Sequence, residues 1–190
     1  TENSGRAFNR IVESVKDGEK VEQIKREASF DKNLENYDFC AGVRSAIPVR
    51  IKNRDFISNT YELGLENDEK WMSLDKESLS IHGEDKGYFN IILNPKQSDV
   101  GTYVAELKTD SVRGDLKIKK NLTVDIHDCF SFDIKMPKED ELCCGYNSYP
   151  VKIKNNGWMN NTILLSLEGD GSLTQGEVTL GSGEEKQVDI

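Results

Sequence analysis

The sequence predicts an all-β protein made of two tandem antiparallel β-sandwiches, with a short helical extension at the N-terminus. Three observations support this prediction: one block of residues occurs twice, apolar and polar residues alternate in short runs, and clusters of turn-forming residues separate those runs. The repeat sets the boundaries. They are an N-terminal extension over residues 1–27, a first sandwich over 28–127, and a second, incomplete sandwich over 128–190.

The repeat is visible without gaps over one block in each half of the chain. Residues 48–67, PVRIKNRDFISNTYELGLEN, align with residues 150–169, PVKIKNNGWMNNTILLSLEG, at a constant offset of 102, and half of the positions are identical. A weaker correspondence extends the alignment on both sides, through Phe30 and Phe132, Gly83 and Gly183, Glu84 and Glu184, and Ile91 and Ile190. The two copies are therefore expected to fold alike.

By this alignment the second copy stops early. Residues 92–126 of the first copy have no counterpart after Ile190. A sandwich without those strands would expose part of its core and leave strand edges unpaired. Two expectations follow: the missing strands lie outside this sequence, or another chain completes the second module by strand addition or homo-oligomer formation.

Apolar residues recur at every second position in the runs that we interpret as strands, which is the period of a half-buried strand. The indole of Trp71 is expected to be mostly buried among them. The side chains predicted to form the first core are Ile51, Leu63, Leu65, Ile91, Tyr103 and Val124.

The N-terminal extension has a different period. Phe8, Ile11, Val12 and Val15 fall at helical spacing, and apolar residues resume that spacing after an Asp-Gly pair. This pattern predicts a helix packed on the first sandwich. The alternative is the outer end of a stalk or filament helix.

Four short motifs stand at the turns and strand ends of the two copies. They are the turn Gly83-Glu84, the strand end Asn94-Pro95, the strand start Gly101-Thr102-Tyr103 and the turn Asn156-Gly157-Trp158. These motifs resemble the bacterial and archaeal immunoglobulin-like modules related to the cell-adhesion CARDB domains and the α-galactosidase-associated domain. The resemblance covers residues 46–126 and 148–190. It implies an immunoglobulin-like sandwich used as a spacer or binding unit, and it transfers no catalytic residue.

The net charge of the chain argues against nucleic-acid and anionic-membrane partners. The 34 acidic residues outnumber the 25 basic ones, for a net charge of -9. A nucleic-acid or anionic-membrane surface would need a local basic patch, and the sequence has none. No apolar run is long enough to span a bilayer, so membrane attachment would require an anchor outside this chain.

The sequence predicts no catalytic residue, no cofactor and no metal site. The two histidines, His82 and His127, lie at predicted strand ends without the short, patterned spacing of metal ligands. Phosphate-binding, nucleophile-elbow and metalloprotease motifs are also missing.

Cysteines and glycosylation sequons favour an oxidising compartment. The four cysteines are disulfide candidates: Cys40, Cys129, Cys143 and Cys144. Strand polarity favours a bridge between Cys40 and Cys129, which leaves the other two for each other or for a partner. Asn121 and Asn160 begin the two N-glycosylation sequons that we take as candidates.

The leading hypothesis is a non-catalytic structural or adhesive protein of the extracellular space or cell surface. It would be the ectodomain of a membrane-anchored protein, with a protein or glycan partner. One alternative is a filament subunit of pilin or archaellum type. The other is an accessory carbohydrate-binding region of a secreted enzyme, which would require Trp71 and Trp158 to be accessible on one face.

Overall fold

The structure is a computed structural model that describes residues 27–30, 36–136, 148–169 and 171–190. Within those ranges the regular structure consists of β-strands and one short 3-10 helix, and this confirms the predicted all-β class. The predicted helical extension lies outside the described residues, apart from Glu27. No helix in the described part is both long and apolar enough to cross a membrane.

The chain divides into two compact units between Ile126 and His127, one residue before the boundary drawn from the repeat. The first unit contains two sheets, with strand orders β1-β3-β7-β5 and β2-β9-β8-β4-β6. A 3-10 helix, Gln97–Asp99, precedes β8. The strands are β1 (Ala28–Phe30), β2 (Asn36–Cys40), β3 (Ser45–Asn53), β4 (Asn59–Glu66), β5 (Met72–Leu74), β6 (Ser78–Ile81), β7 (Lys86–Leu93), β8 (Gly101–Ser111) and β9 (Lys117–His127).

The core of the first unit lies between its two sheets. Alternation along each strand turns every second side chain inward, so β3 buries Ile47, Val49 and Ile51 together. Of the predicted core residues, Leu65 and Tyr103 are partly buried and pack against this core. The other four are buried, as predicted: Ile51, Leu63, Ile91 and Val124.

The second unit is a smaller version of the same arrangement. Its described strands form a three-stranded sheet, β10-β11-β14, and a two-stranded sheet, β12-β13, all with antiparallel pairing. The strands are β10 (Phe132–Lys135), β11 (Pro150–Asn155), β12 (Asn161–Leu164), β13 (Glu177–Leu180) and β14 (Glu185–Asp189). Val151, Ile153, Val178, Leu180 and Val188 form its buried cluster.

The pairing registers correct the sequence alignment on both flanks of the repeat. Upstream, Phe30 lies opposite Ile51 whereas Ile134 lies opposite Ile153, so the counterpart of Phe30 is Ile134 and not Phe132. The shift is two residues, which leaves the same face of the strand turned inward.

Downstream, the identity-based match of Gly83 with Gly183 is also wrong. The backbone N–H of Asn53 donates to the carbonyl of Asp85, and that of Asn155 donates to the carbonyl of Glu184. This makes Glu84 the counterpart of Gly183, and both residues have a left-handed backbone, with φ of 62° and 74°.

Candidate interaction surface

A buried asparagine positions the β3–β4 and β11–β12 loops identically in the two units. Asn53 Nδ2 donates to the carbonyls of Ile57, Ile81 and His82 at 2.9, 3.2 and 3.1 Å. Its Oδ1 accepts the N–H of Asp55 at 3.1 Å. The side chain thereby ties the loop after β3 to the end of β6.

Asn155 repeats this network in the second unit. Its Nδ2 donates to the carbonyls of Met159, Leu180 and Gly181 at 2.8, 3.1 and 3.1 Å, and its Oδ1 accepts the N–H of Gly157 at 2.9 Å. Both asparagines are fully buried. Because a buried amide needs these partners, the same loop geometry is fixed in each unit.

Apolar side chains on β10 leave part of the second unit's inner face accessible. Ile134 lies opposite the fully buried Ile153, so both side chains are on the core side of the sheet, yet Ile134 is 49% exposed. Phe132 shares this side by strand alternation, and Met136, the residue after the end of β10, continues the same alternation; both are also exposed. These three residues form the β10 apolar row.

In the first unit, the side chain at the corresponding position is covered. Phe30, the counterpart of Ile134, is partly buried and packs against the core. There the second sheet continues beyond β4 through β8 and β9 to β2, whereas the second sheet of the other unit contains β12 and β13 among the described residues. The exposure of the β10 apolar row therefore accompanies a narrower opposing sheet.

An aromatic pair lies in the second unit close to the unit boundary. The rings of His127 and Trp158 stack with centroids 4.0 Å apart and planes 8° from parallel. Trp158 is about half exposed, as are Phe130 and Met159. In the first unit Phe56 and Ile57, the counterparts of Trp158 and Met159, are exposed to a similar degree, so this region does not distinguish the two units.

Trp71 has a different environment. It is partly buried, packs against the first core, and meets the ring of Tyr103 edge-on at 5.0 Å. Its Nε1 donates to Glu69 Oε2 at 3.1 Å. Burial is the main cause that raises the pKa of Tyr103, with Glu69 and Asp99 adding to it. Trp71 is therefore a core-anchoring residue, and it is mostly buried, as predicted.

The outer face of the first unit's larger sheet carries a charge network. Lys119 Nζ lies 2.9 Å from Glu106 Oε1, and Lys108 contacts both Glu106 and Glu66. The bond from Lys119 is the main cause that lowers the pKa of Glu106, and the bond to Glu66 is the main cause that raises the pKa of Lys108. The basic strand residues are thus partly neutralised.

Two of the predicted disulfide cysteines lie in described residues. Cys40 ends β2, Cys129 is fully buried, and both are disulfide-bonded. Their pairing with each other stays a prediction, because Cys143 and Cys144 lie outside the described residues.

The glycosylation candidates are both exposed. Asn121 lies on β9, opposite Glu106, and Asn160 immediately precedes β12. The histidines do not approach a metal-binding arrangement: His82 Nδ1 is 3.1 Å from Ser58 Oγ, and His127 stacks on Trp158. Across the described ranges, no cluster of His, Cys, Asp and Glu could hold a metal ion.

Sequence reasoning missed the asparagine network and the β10 apolar row. The signal for the network was present, because Asn53 and Asn155 are identical residues at the end of equivalent strands. The exposure of Ile134 had no sequence signal of its own, since its alternation is that of an ordinary core-facing strand.

The two-sheet antiparallel architecture defines the chain as an immunoglobulin-like β-sandwich protein. No protein-family model matches the chain. No curated protein matches it either.

Similar solved structures include the ASH/PapD-like domain 7 of human CEP192, which is 11% identical, with 59% of this chain and 96% of that chain covered at a TM-score of 0.45. Another is the MSP family member WR4 of C. elegans, at 10% identity, 52% and 96% coverage and a TM-score of 0.38. A third is the chaperone–tip adhesin pre-assembly complex CsuC–CsuE of Acinetobacter baumannii, at 7% identity, 86% and 89% coverage and a TM-score of 0.40.

Proposed function

We propose that this chain is a non-catalytic structural or adhesive protein of the extracellular space or cell surface, related to the CARDB-like adhesion modules. The first unit acts as a spacer. The second unit presents the surface that contacts a protein or glycan partner.

The observation that carries this proposal is the contrast between two units with one framework. The asparagine network is kept in both, while Ile134 and its neighbours in the β10 apolar row are exposed and Phe30, the counterpart of Ile134, packs against the first core. Apolar side chains exposed on the inner face of a sandwich offer a surface that a partner can cover.

The disulfide-bonded cysteines and the glycosylation sequons support the proposed extracellular or cell-surface location. Disulfide-bonded Cys40 and Cys129 fit an oxidising compartment, because cytosolic thiols are kept reduced. Exposed sequons at Asn121 and Asn160 would be accessible to a glycosylation machinery.

The test is saturable binding of the fluorescently labelled chain to intact cells of the source organism. The double variant Phe132→Ser/Ile134→Ser should lose most of this binding. Val104→Ser is the control, since Val104 is an apolar residue on β8 of the first unit that is even more exposed than Phe132 and Ile134. Absence of saturable binding, or equal loss in both variants, would refute the adhesive role.

Antibody labelling of intact and permeabilised cells tests the location separately. Labelling should reach the protein without permeabilisation, while a cytosolic marker stays unlabelled. Detection after permeabilisation alone would place the protein inside the cell and remove the surface proposal.

A further inference from the structure

The strand β12 has one occupied edge in the described residues. It pairs with β13 from Asn161↔Leu180 to Leu164↔Glu177, and no other described strand pairs with it. Its counterpart in the first unit, β4, pairs with β6 on the equivalent side and with β8 on the other. The second edge of β12 therefore corresponds to the edge that β8 occupies.

Backbone polarity shows which groups lie on that edge. Leu165 N–H donates to the carbonyl of Gly176, on the β13 side. In an antiparallel strand successive residues face opposite neighbours, so the N–H and C=O of Leu164 face the open edge. The first unit has the same alternation: Leu63 N–H bonds to Glu77 on the β6 side, and Val112 N–H bonds to the carbonyl of Thr60.

Side chains beside this edge match those that β8 covers in the first unit. Ile163 and Leu165, counterparts of Tyr61 and Leu63, point inward and remain partly exposed, whereas Tyr61 is fully buried and Leu63 is 9% exposed. On the outer face, Leu164 is 77% exposed. An incoming strand would cover all three side chains.

Charge adds a further requirement on the occupant. In the first unit, Lys108 lies opposite Gly64 and its Nζ bonds to Glu66. The counterpart of Glu66 is Glu168, which is exposed. A lysine opposite Ser166, the counterpart of Gly64, would have the same acidic neighbour.

From the edge, the apolar residues and the charge we infer that the second unit is a strand acceptor. A segment of a partner polypeptide pairs antiparallel with β12 along the edge that Leu164 faces. It carries apolar residues at alternate inward positions and a lysine opposite Ser166. This deepens the proposed function by naming the partner's chemistry: an extended, amphipathic, lysine-bearing peptide.

The test uses the full chain and a fluorescently labelled peptide with the β8 sequence, residues 101–111. On β8 itself, the residues that face β4 are Glu106, Lys108 and Asp110, while Leu107 and Thr109 face β9. The unmodified peptide should bind saturably. N-methylation at the Lys108 and Asp110 positions should weaken binding by about tenfold or more, since it removes two edge donors.

The matched control is the same peptide N-methylated at the Leu107 and Thr109 positions, which should bind like the unmodified peptide. Lysine-to-glutamate exchange at the Lys108 position should also weaken binding. Equal losses for the two methylated peptides, or no saturable binding up to about 1 mM, would overturn the inference.

Two protein variants test the edge from the other side. Leu164→Pro removes the outward N–H without touching the β13 ladder, and it should abolish peptide binding. Leu164→Ala keeps the N–H and should retain binding. If Leu164→Pro shifts the thermal unfolding of the chain, its loss of binding could come from misfolding. The methylated peptides then decide whether the β12 edge binds the peptide, because they leave the protein unaltered.

Self-pairing is a separate outcome. Concentration-dependent dimerisation that Leu164→Pro abolishes, without peptide binding, would mean that a second copy occupies the edge, and it would contradict the proposal. The peptide assay uses purified components alone and is independent of the cell-binding assay. Peptide binding can therefore fail while binding to cells persists. That result would remove the strand acceptor and leave the adhesive function standing.

Discussion

The two units share their loop-forming framework and differ in what covers it. Asn53 and Asn155 make the same set of hydrogen bonds to carbonyls at equivalent positions. Beyond β4 the first unit adds β8 and β9, and in the described residues nothing equivalent lies beyond β12. The framework is therefore made by local strands and turns that are the same in both units.

The exposure of equivalent apolar side chains follows this difference in the covering strands. Phe30 packs against the first core, while Ile134, at the same register position, is half exposed. Each unpaired edge strand and exposed apolar residue would invite association, which natural sheets usually prevent with charges or proline. Here Leu164 occupies the edge position where β4 has Glu62, so the expected protective charge is missing from β12.

Replacing the buried asparagine should have the largest effect on either unit. Asn155→Ala should lower the free energy of unfolding of the second unit by about 2–4 kcal/mol, because several buried carbonyls lose their donor. Asn53→Ala should act similarly on the first unit. Urea unfolding followed by fluorescence in Trp71→Phe and Trp158→Phe backgrounds reports each unit separately.

Asn160→Ala is the control for this prediction, since Asn160 is exposed. It should change neither transition by more than about 0.5 kcal/mol. A comparably small effect of Asn155→Ala would contradict the shared framework.

A methyl group at Gly157 should destabilise the second unit next most strongly. Its Cβ would lie 2.3 Å from the carbonyl oxygen of Cys129, so Gly157→Ala should cost about 1–3 kcal/mol. The first unit has Asp55 at this position, which shows that the crowding belongs to the second unit. Gly176→Ala, where a Cβ meets nothing within 4 Å, should leave the same unfolding midpoint nearly unchanged.

Substitutions at the left-handed turn position, Glu84 and Gly183, should change the stability of the two units in opposite directions. Gly183→Ala should cost the second unit about 1 kcal/mol, because a Cβ is strained at φ 74°. Glu84→Gly relieves that strain in the first unit but adds backbone entropy to the unfolded chain, so its net effect should lie between zero and about 1 kcal/mol of stabilisation. A loss of stability in Glu84→Gly would disagree with this account.

The smallest expected effect concerns the charge network of the first unit. The pKa of Glu106 is lowered in the folded state, so its contribution to stability is present above the unfolded pKa and is lost as the pH falls through the folded pKa. Lys119→Met should raise the pKa of Glu106 in a carboxyl NMR titration. Lys117→Met should leave it unchanged, since Lys117 lies opposite Asp110.

Strand alternation made the fold class and most of the first core predictable. It could not fix the register of β1 and β10, because a two-residue slip keeps the same face inward, and Phe132 was therefore matched to Phe30 in error. Identity misled the alignment at Gly183, since a sequence does not reveal that Glu84 has a left-handed backbone. Exposure of the β10 apolar row accompanies a narrower opposing sheet, which the local sequence of β10 does not encode.

Hydrogen exchange of individual backbone amides tests the contrast between the units most directly. Ile163 and Tyr61 face β13 and β6, so both amides should be protected to a similar degree relative to the global stability of their unit. The Leu164 amide should exchange orders of magnitude faster than that of Ile163, while Glu62, facing β8, should be as protected as Tyr61. Protection of Leu164 equal to that of Ile163 would mean that the β12 edge is already occupied and would contradict the account.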